Sequence, residues 1–199
     1  LQEYYPAALR IPMRGQDPVW VDPTELAKNM GLTVRNQRIR EDGSVFGQIY
    51  FDDTDTVMYD ANEDADVPTH IKGKTIVVDP QIYLLRNLGS FNNTIVHECV
   101  HWTKHRKAFK LEQLFNTDAS YISCEVVGDA DSRISIKSTK YMEKQANQLA
   151  PRIQMPKEPF TIKAKEYIAY FMRQTDARHT VDVMEMVIGA LERDYGVSR

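Results

Sequence analysis

The sequence predicts an α+β domain, because segments typical of strands come first along the chain and segments typical of helices come second. Short runs in which apolar and polar residues alternate, separated by turn residues, fill the region 32–80. After about residue 90, apolar residues recur at helical spacing instead. These two patterns place a sheet in the first half of the chain and a set of helices in the second.

The first predicted element is a short helix. Asp22 is a favourable N-cap, Pro23 fits the first helical position, and Gly31 is a typical stop. Three strand-like segments follow, with Asp-Gly and Asp-Thr-Asp turns between them, and they predict an antiparallel meander: 32–42, 43–53 and 56–62. A further short strand is predicted at 74–80.

The second half of the chain is predicted to be mainly helical. A helix spans about Ser90 to Phe109, and a strand or extended segment follows at 121–127. Ser138 can cap a helix that runs to Ala150, where Pro151 stops or kinks it. Two more helices are predicted at 162–174 and 181–196, and their apolar residues at helical spacing favour packing against a core.

Composition excludes several classes of protein. The chain of 199 residues suits one domain, and its net charge of −3 argues against a nucleic-acid-binding surface. No apolar run has the length of a membrane span. Two cysteines, Cys99 and Cys124, are too few for a disulfide framework, so a reducing cytoplasm is expected. The start at Leu1, without Met, suggests part of a longer chain.

The segment 92–109 carries the strongest functional signal. On a helix, His97 and His101 are one turn apart on one face, with Glu98 beside them, while apolar residues collect on the opposite face. This His-Glu-x-x-His pattern suits zinc, because two imidazoles at i and i+4 can bind one ion and the glutamate can act as a general base on a water. The alternative is an ordinary amphipathic helix with polar residues on its wet face.

His105 is a tempting third ligand, but it lies about 12 Å from His97 along the axis of a straight helix, at 1.5 Å per residue. We therefore predict that it is a surface or cleft-edge residue. The third ligand must come from another helix, and Glu143 is the best candidate because small residues flank its face. Asn147, one turn on, is predicted to hydrogen-bond a ligand imidazole. The weaker candidates for the third ligand are Asp129, Asp131 and His179.

The motif "HECVH", followed about forty residues later by "EKQANQLAPRIQMP", resembles the ImmA/IrrE-type metallopeptidases. The matching positions are His97, Glu98, His101, Glu143, Ala146, Asn147, Met155 and Pro156. Two departures are Gln145, where the family often has an acidic residue, and Pro151 within the second helix. The resemblance covers roughly residues 75–156. It implies a zincin-like fold of the gluzincin kind, with zinc held by the two histidines and the third-ligand glutamate.

The resemblance also implies a cytoplasmic bacterial endopeptidase that cleaves a regulatory protein, such as a helix-turn-helix repressor. It implies that the strand before the active-site helix, 73–80, lies at a sheet edge and receives the substrate by backbone hydrogen bonds. The alternative is that its apolar residues belong to the core. The implied organisation is a metallopeptidase domain at 1–156 and a helical segment at 157–199 that packs on it and looks truncated.

Two functions remain open at this point. The first is a zinc endopeptidase whose general base is Glu98, with an oxyanion-stabilising group that the sequence does not choose among Tyr121, His105, Arg152 and His179. The second is a catalytically silent metal-binding regulatory or protein-interaction domain. The intact glutamate favours the first, because a purely structural metal site has no need of it.

Overall fold

A computed structural model describes residues 1–10, 20–114, 121–125 and 136–198. Within these ranges the chain folds as α+β. The helices are α1 (Pro23–Asn29), α2 (Gln81–Leu85), α3 (Leu88–Val100), α4 (Arg106–Gln113), α5 (Ile136–Gln154), α6 (Lys157–Thr175) and α7 (Met184–Tyr195). The strands are β1 (Thr33–Asn36), β2 (Val45–Tyr50), β3 (Thr54–Asp60), β4 (Ala65–Ile71), β5 (Thr75–Val78) and β6 (Tyr121–Glu125). Short 3-10 turns lie at Pro6–Leu9 and Thr180–Val183.

The main sheet has four strands in the order β1-β5-β2-β6, with β5 parallel to β1 and the other pairs antiparallel. The predicted meander is therefore wrong, since β1 pairs with β5 and β3 belongs to a separate hairpin with β4. Residues Thr75–Val78 are all buried, as expected for a strand covered on both faces. The prediction of an exposed edge at 73–80 is also wrong, because β5 is paired on both sides.

Strand β4 was missed by the sequence analysis. It contains Pro68 and two exposed polar residues, Asp66 and His70, which count against a strand interior. A two-stranded sheet tolerates such a residue because each of its strands has a free edge. Pro68 lies opposite Val57 in the β3–β4 register, and the hairpin adds Met58 and Ile71 to a small second core.

The predicted N-terminal helix is confirmed. α1 begins at Pro23, and the Asp22 carboxylate accepts hydrogen bonds from the backbone N–H groups of Thr24 and Glu25. Gly31 follows the helix with a φ of 74°, a left-handed conformation that glycine adopts without strain.

The main core lies between the sheet and α3. Helix α3 begins after Asn87, whose side-chain oxygen accepts a hydrogen bond from the Ser90 N–H. Its apolar face enters this core, as the sequence predicts, through Ile95, Val96 and Cys99. The predicted single helix to Phe109 is interrupted by a π-helical turn at His101–His105, after which α4 continues.

Helix α5 lies across α3 and supplies the second part of the site described below. It extends to Gln154, past Pro151, so the predicted stop at Ala150 is wrong. Ala146 and Ala150 are fully buried, and their small side chains permit a close approach between helices.

Helices α6 and α7 pack on each other around a separate apolar cluster that includes Val187, Leu191 and Tyr195. The chain after α7 returns to α3, where the Asn92 side-chain amide donates a hydrogen bond to the Gly196 carbonyl. No helix in the part of the chain that the structure describes is long and apolar enough to cross a membrane.

Candidate metal centre

Three side chains converge where α3 meets α5. His97 and His101 of α3 and Glu143 of α5 place ligand atoms within 4.8 Å of one another. The two imidazole Nε2 atoms are 2.9 Å apart. One Glu143 oxygen lies 3.1 Å from His97 Nε2, and the other lies 3.1 Å from His101 Nε2. The structure thus brings together the three residues that the sequence predicts as ligands.

The electrostatics of this cluster favour neutral imidazole beside an ionised carboxylate. Burial lowers the pKa of His101 to about 4, although the Glu143 carboxylate opposes this shift. Burial would raise the pKa of Glu143, but the neighbouring imidazoles of His101 and His97 outweigh burial and lower that pKa to about 2. Neutral imidazole and ionised carboxylate are the forms that bind a metal ion.

Glu98 is the most unusual residue of the centre. Its side chain is 0% exposed, and neither carboxylate oxygen has a hydrogen-bond partner among the described residues. Burial, and then the charge of Glu143, raise the pKa of Glu98 well above its ordinary value. A buried carboxylate without a partner is costly, so it calls for an explanation in terms of function.

Gly47 of β2 makes room for this carboxylate and was missed by the sequence analysis. A Cβ atom at position 47 would lie 3.1 Å from a Glu98 oxygen and 2.5 Å from Cγ2 of Thr94. Glycine is therefore required for strand β2 to pass directly against α3. A glycine inside a strand pattern indicates such a close approach, and this signal could have identified it.

We expect Gly47→Ala to destabilise the protein by about 1–3 kcal/mol, because the added methyl group overpacks the contact between β2 and α3. Urea unfolding of the metal-free protein measures the effect. Thr94→Ser removes the clashing methyl group and keeps the hydroxyl that donates to the Ser90 carbonyl, so the double variant should recover part of the loss.

Gly189→Ala is the matched control for this prediction. A Cβ atom at position 189 meets only Arg193 Nη1, at 3.8 Å, and alanine in a helix is favoured over glycine by about 0.5–1 kcal/mol. This control should therefore be neutral or stabilising. Equal stability of Gly47→Ala and Gly189→Ala would show that the close approach at Gly47 is not a constraint.

His105 does not lie at the surface, so that prediction is wrong. Its side chain is buried, and its Nδ1 lies 3.0 Å from Nδ1 of His101. Its Nε2 lies 2.9 Å from Oε1 of Gln145 on α5. The cause is its position one turn beyond His101, under α5. It is absent from the three-residue ligand cluster, as the distance argument predicts.

Asn147 is exposed, and within the described residues it forms no hydrogen bond with His97 or His101. The prediction that it supports a ligand imidazole is therefore wrong: Nδ1 of His101 contacts His105 instead, and Nδ1 of His97 forms a hydrogen bond with neither Asn147 nor another residue in the described part of the chain. His105 takes the supporting role that was predicted for Asn147, because its Nδ1 contacts Nδ1 of His101.

Two of the other candidates from the sequence do not join the cluster. Arg152 and His179 are exposed, on α5 and just before the turn that leads into α7. Asp129, Asp131 and the side chain of Tyr121 lie outside what the structure describes.

No family model matches the chain, and searches of curated proteins and of solved structures also found no match.

Proposed function

We propose that this protein is a zinc-dependent endopeptidase with the zincin-like arrangement that its motifs resemble, and that it acts in the cytoplasm. The observation that carries the proposal is that a cluster of metal-ligand atoms and a buried candidate general base lie side by side. Three ligand atoms converge at His97, His101 and Glu143, and the buried, unpartnered carboxylate of Glu98 follows directly after the first of them. The motif resemblance to the ImmA/IrrE family supports the same assignment.

The donor set fits zinc. Catalytic zinc sites typically use three protein ligands of imidazole and carboxylate type and leave a fourth position for water or substrate. At zinc–ligand distances of about 2.0–2.1 Å, tetrahedral geometry separates neighbouring ligand atoms by about 3.3 Å. The observed separations of 2.9 and 3.1 Å require the ligand atoms to move apart by only a few tenths of an ångström.

Zinc, when bound, supplies a Lewis acid that activates water and polarises the scissile carbonyl. Glu98 accepts the proton of the attacking water and then donates it to the leaving amine. Its burial suits this exchange, because a carboxyl group with a raised pKa holds a proton more readily than an exposed one. Gly47 of β2 leaves space beside this buried carboxylate.

Glu98 also separates this proposal from the alternative of a catalytically silent metal-binding domain. A site that only binds metal needs its ligands and the residues that orient them. A fully buried glutamate without a hydrogen-bond partner would destabilise such a site without contributing to it. We therefore favour the enzyme over the silent regulator.

We propose that the substrate is a protein cut while extended along a sheet edge. The edges of the described sheet are β1 and β6. Cys124 of β6 pairs directly with Gly47, whereas β1 is separated from Gly47 by β5. Strand β6 is thus the edge nearer to Glu98, and an extended peptide could add to it by backbone hydrogen bonds.

The resemblance suggests a helix-turn-helix repressor as the substrate, encoded next to this protein. The experiment is to incubate the two purified proteins and to identify new termini by mass spectrometry. Cleavage at one site that stops with a chelator and returns with zinc would support the proposal. An intact repressor would rule out this protein as the substrate. The absence of cleavage of any protein or peptide would rule out the enzymatic function.

A further inference from the structure

Beside the proposed metal site, a chain of side-chain contacts runs from α3 through the π-helical turn to α5. His101 Nδ1 lies 3.0 Å from His105 Nδ1, and His105 Nε2 lies 2.9 Å from Gln145 Oε1. The centroids of the two rings are 4.8 Å apart and the ring planes are inclined by 61°, so the rings meet edge to face and do not stack. Both histidines are buried, and this excludes bulk water as their partner.

The chemistry of the last group sets the direction of these hydrogen bonds. An amide oxygen can only accept, so His105 Nε2 is the donor to Gln145. A neutral imidazole carries one N–H, and in His105 that N–H is the one on Nε2. Its Nδ1 must therefore accept, and the donor to it is Nδ1–H of His101.

This direction determines what His101 presents to the proposed metal. With its proton on Nδ1, His101 leaves a lone pair on Nε2, the atom that faces His97 and Glu143. Metal-binding histidines commonly donate their other N–H to a fixed acceptor, which sets both tautomer and ring orientation. Nδ1 of His97 has no such partner among the described residues.

We propose that His105 and Gln145 are positioning residues that hold His101 in the tautomer and orientation needed to bind zinc through Nε2. The inference rests on the proposed metal site, not on the peptidase activity. The π-helical turn fits this role, because it brings the His105 ring against His101, and single π turns in helices are frequent at functional sites.

The test measures zinc affinity of the full chain by competition with a chromophoric chelator. Losing an orienting partner typically weakens metal binding by about 10–100-fold, so we expect a loss in this range for His105→Phe and a loss near its lower end for Gln145→Leu. Gln145→Glu keeps an acceptor and should bind zinc at least as tightly as the wild type. Asn147→Ala, on an exposed position of the same helix, is the control and should change nothing.

Two spectroscopic measurements separate positioning from packing. In cobalt-substituted protein, His105→Phe should alter the visible absorption spectrum, whereas Gln145→Glu should preserve it. In the zinc-loaded wild type, nitrogen-15 spectra of the imidazoles should show His105 with its proton on Nε2. A proton on Nδ1 of His105 would overturn the proposal, even if the substituted proteins failed to fold.

The outcomes also separate this inference from the proposed function. Normal zinc affinity in both His105→Phe and Gln145→Leu would overturn the positioning role and leave the metal site intact. Weakened binding in Gln145→Glu would show that residue 145 must donate, which also overturns it. Failure of the wild type to bind zinc would overturn both the positioning role and the metal site. Zinc binding without proteolysis would affect the enzymatic proposal alone.

Discussion

Glu98→Gln is expected to abolish peptide-bond cleavage and to leave zinc bound. The amide has the size of the carboxylate but cannot accept a proton from water. The rate of cleavage should therefore fall by at least about 10²–10⁴-fold, the usual contribution of a general base. Zinc affinity should be nearly unchanged, because Glu98 is not among the three converging ligand groups. The measurement is the rate of substrate cleavage at saturating zinc, together with zinc content.

Glu158→Gln provides the matched control, since Glu158 is an exposed glutamate at the start of α6. It should cleave at the wild-type rate. If Glu98→Gln retained cleavage comparable to this control, the assignment of Glu98 as the general base would be wrong, whatever the metal content.

Glu98→Gln has a second expected effect, which is on the pH dependence of stability. In the folded metal-free protein, the pKa of Glu98 is raised by burial and by the charge of Glu143. As pH rises above about 4.3, the ordinary glutamate pKa, the unfolded chain ionises first and the wild type loses stability. Glutamine does not titrate. The free energy of unfolding of Glu98→Gln minus that of the wild type should therefore increase with pH, and level off above the folded-state pKa.

Urea unfolding at several pH values, with a chelator present, measures this difference. A difference that stays constant or falls with pH would show that the Glu98 carboxylate is not destabilised in the folded protein.

Glu143→Ala is expected to weaken zinc binding by more than about 100-fold, which exceeds the usual cost of losing an orienting partner. The carboxylate is the only negatively charged group of the ligand cluster, and both of its oxygens face an imidazole Nε2. Without it, only the two imidazoles of the cluster remain. Chelator competition measures the affinity, and cleavage at limiting zinc should fall in parallel.

Asn147→Ala is the control for this variant, because Asn147 lies one turn further along α5 and is exposed. It should bind zinc like the wild type. Equal, small effects of the two substitutions would mean that the third ligand is another residue.

The sequence predicted the convergence at the site better than it predicted the sheet. The i, i+4 spacing places His97 and His101 on one face of any regular helix, and the buried alanines of α5 let Glu143 approach them. Both features are local. Strand pairing is not local, since alternation indicates which face of a strand is buried but not its neighbour. The position of β5 between β1 and β2 therefore could not be predicted from the sequence.

The surroundings of the site were harder to predict for a related reason. The distance along a straight helix correctly argued against His105 as a metal ligand, but it said nothing about contact with His101. The π-helical turn and the packing of Gln145 against His105 depend on how α5 crosses α3. Gly47 likewise acquires its role only through contact with another element, α3.

The most direct test of the central claim is the metal content of the full chain purified without chelators. The arrangement of His97, His101 and Glu143 predicts one zinc ion per chain, removable by a chelator and restored by added zinc. It also predicts that Glu143→Ala loses this ion under the same conditions. A wild-type protein that contains no zinc, and takes up none when zinc is added, would contradict the account.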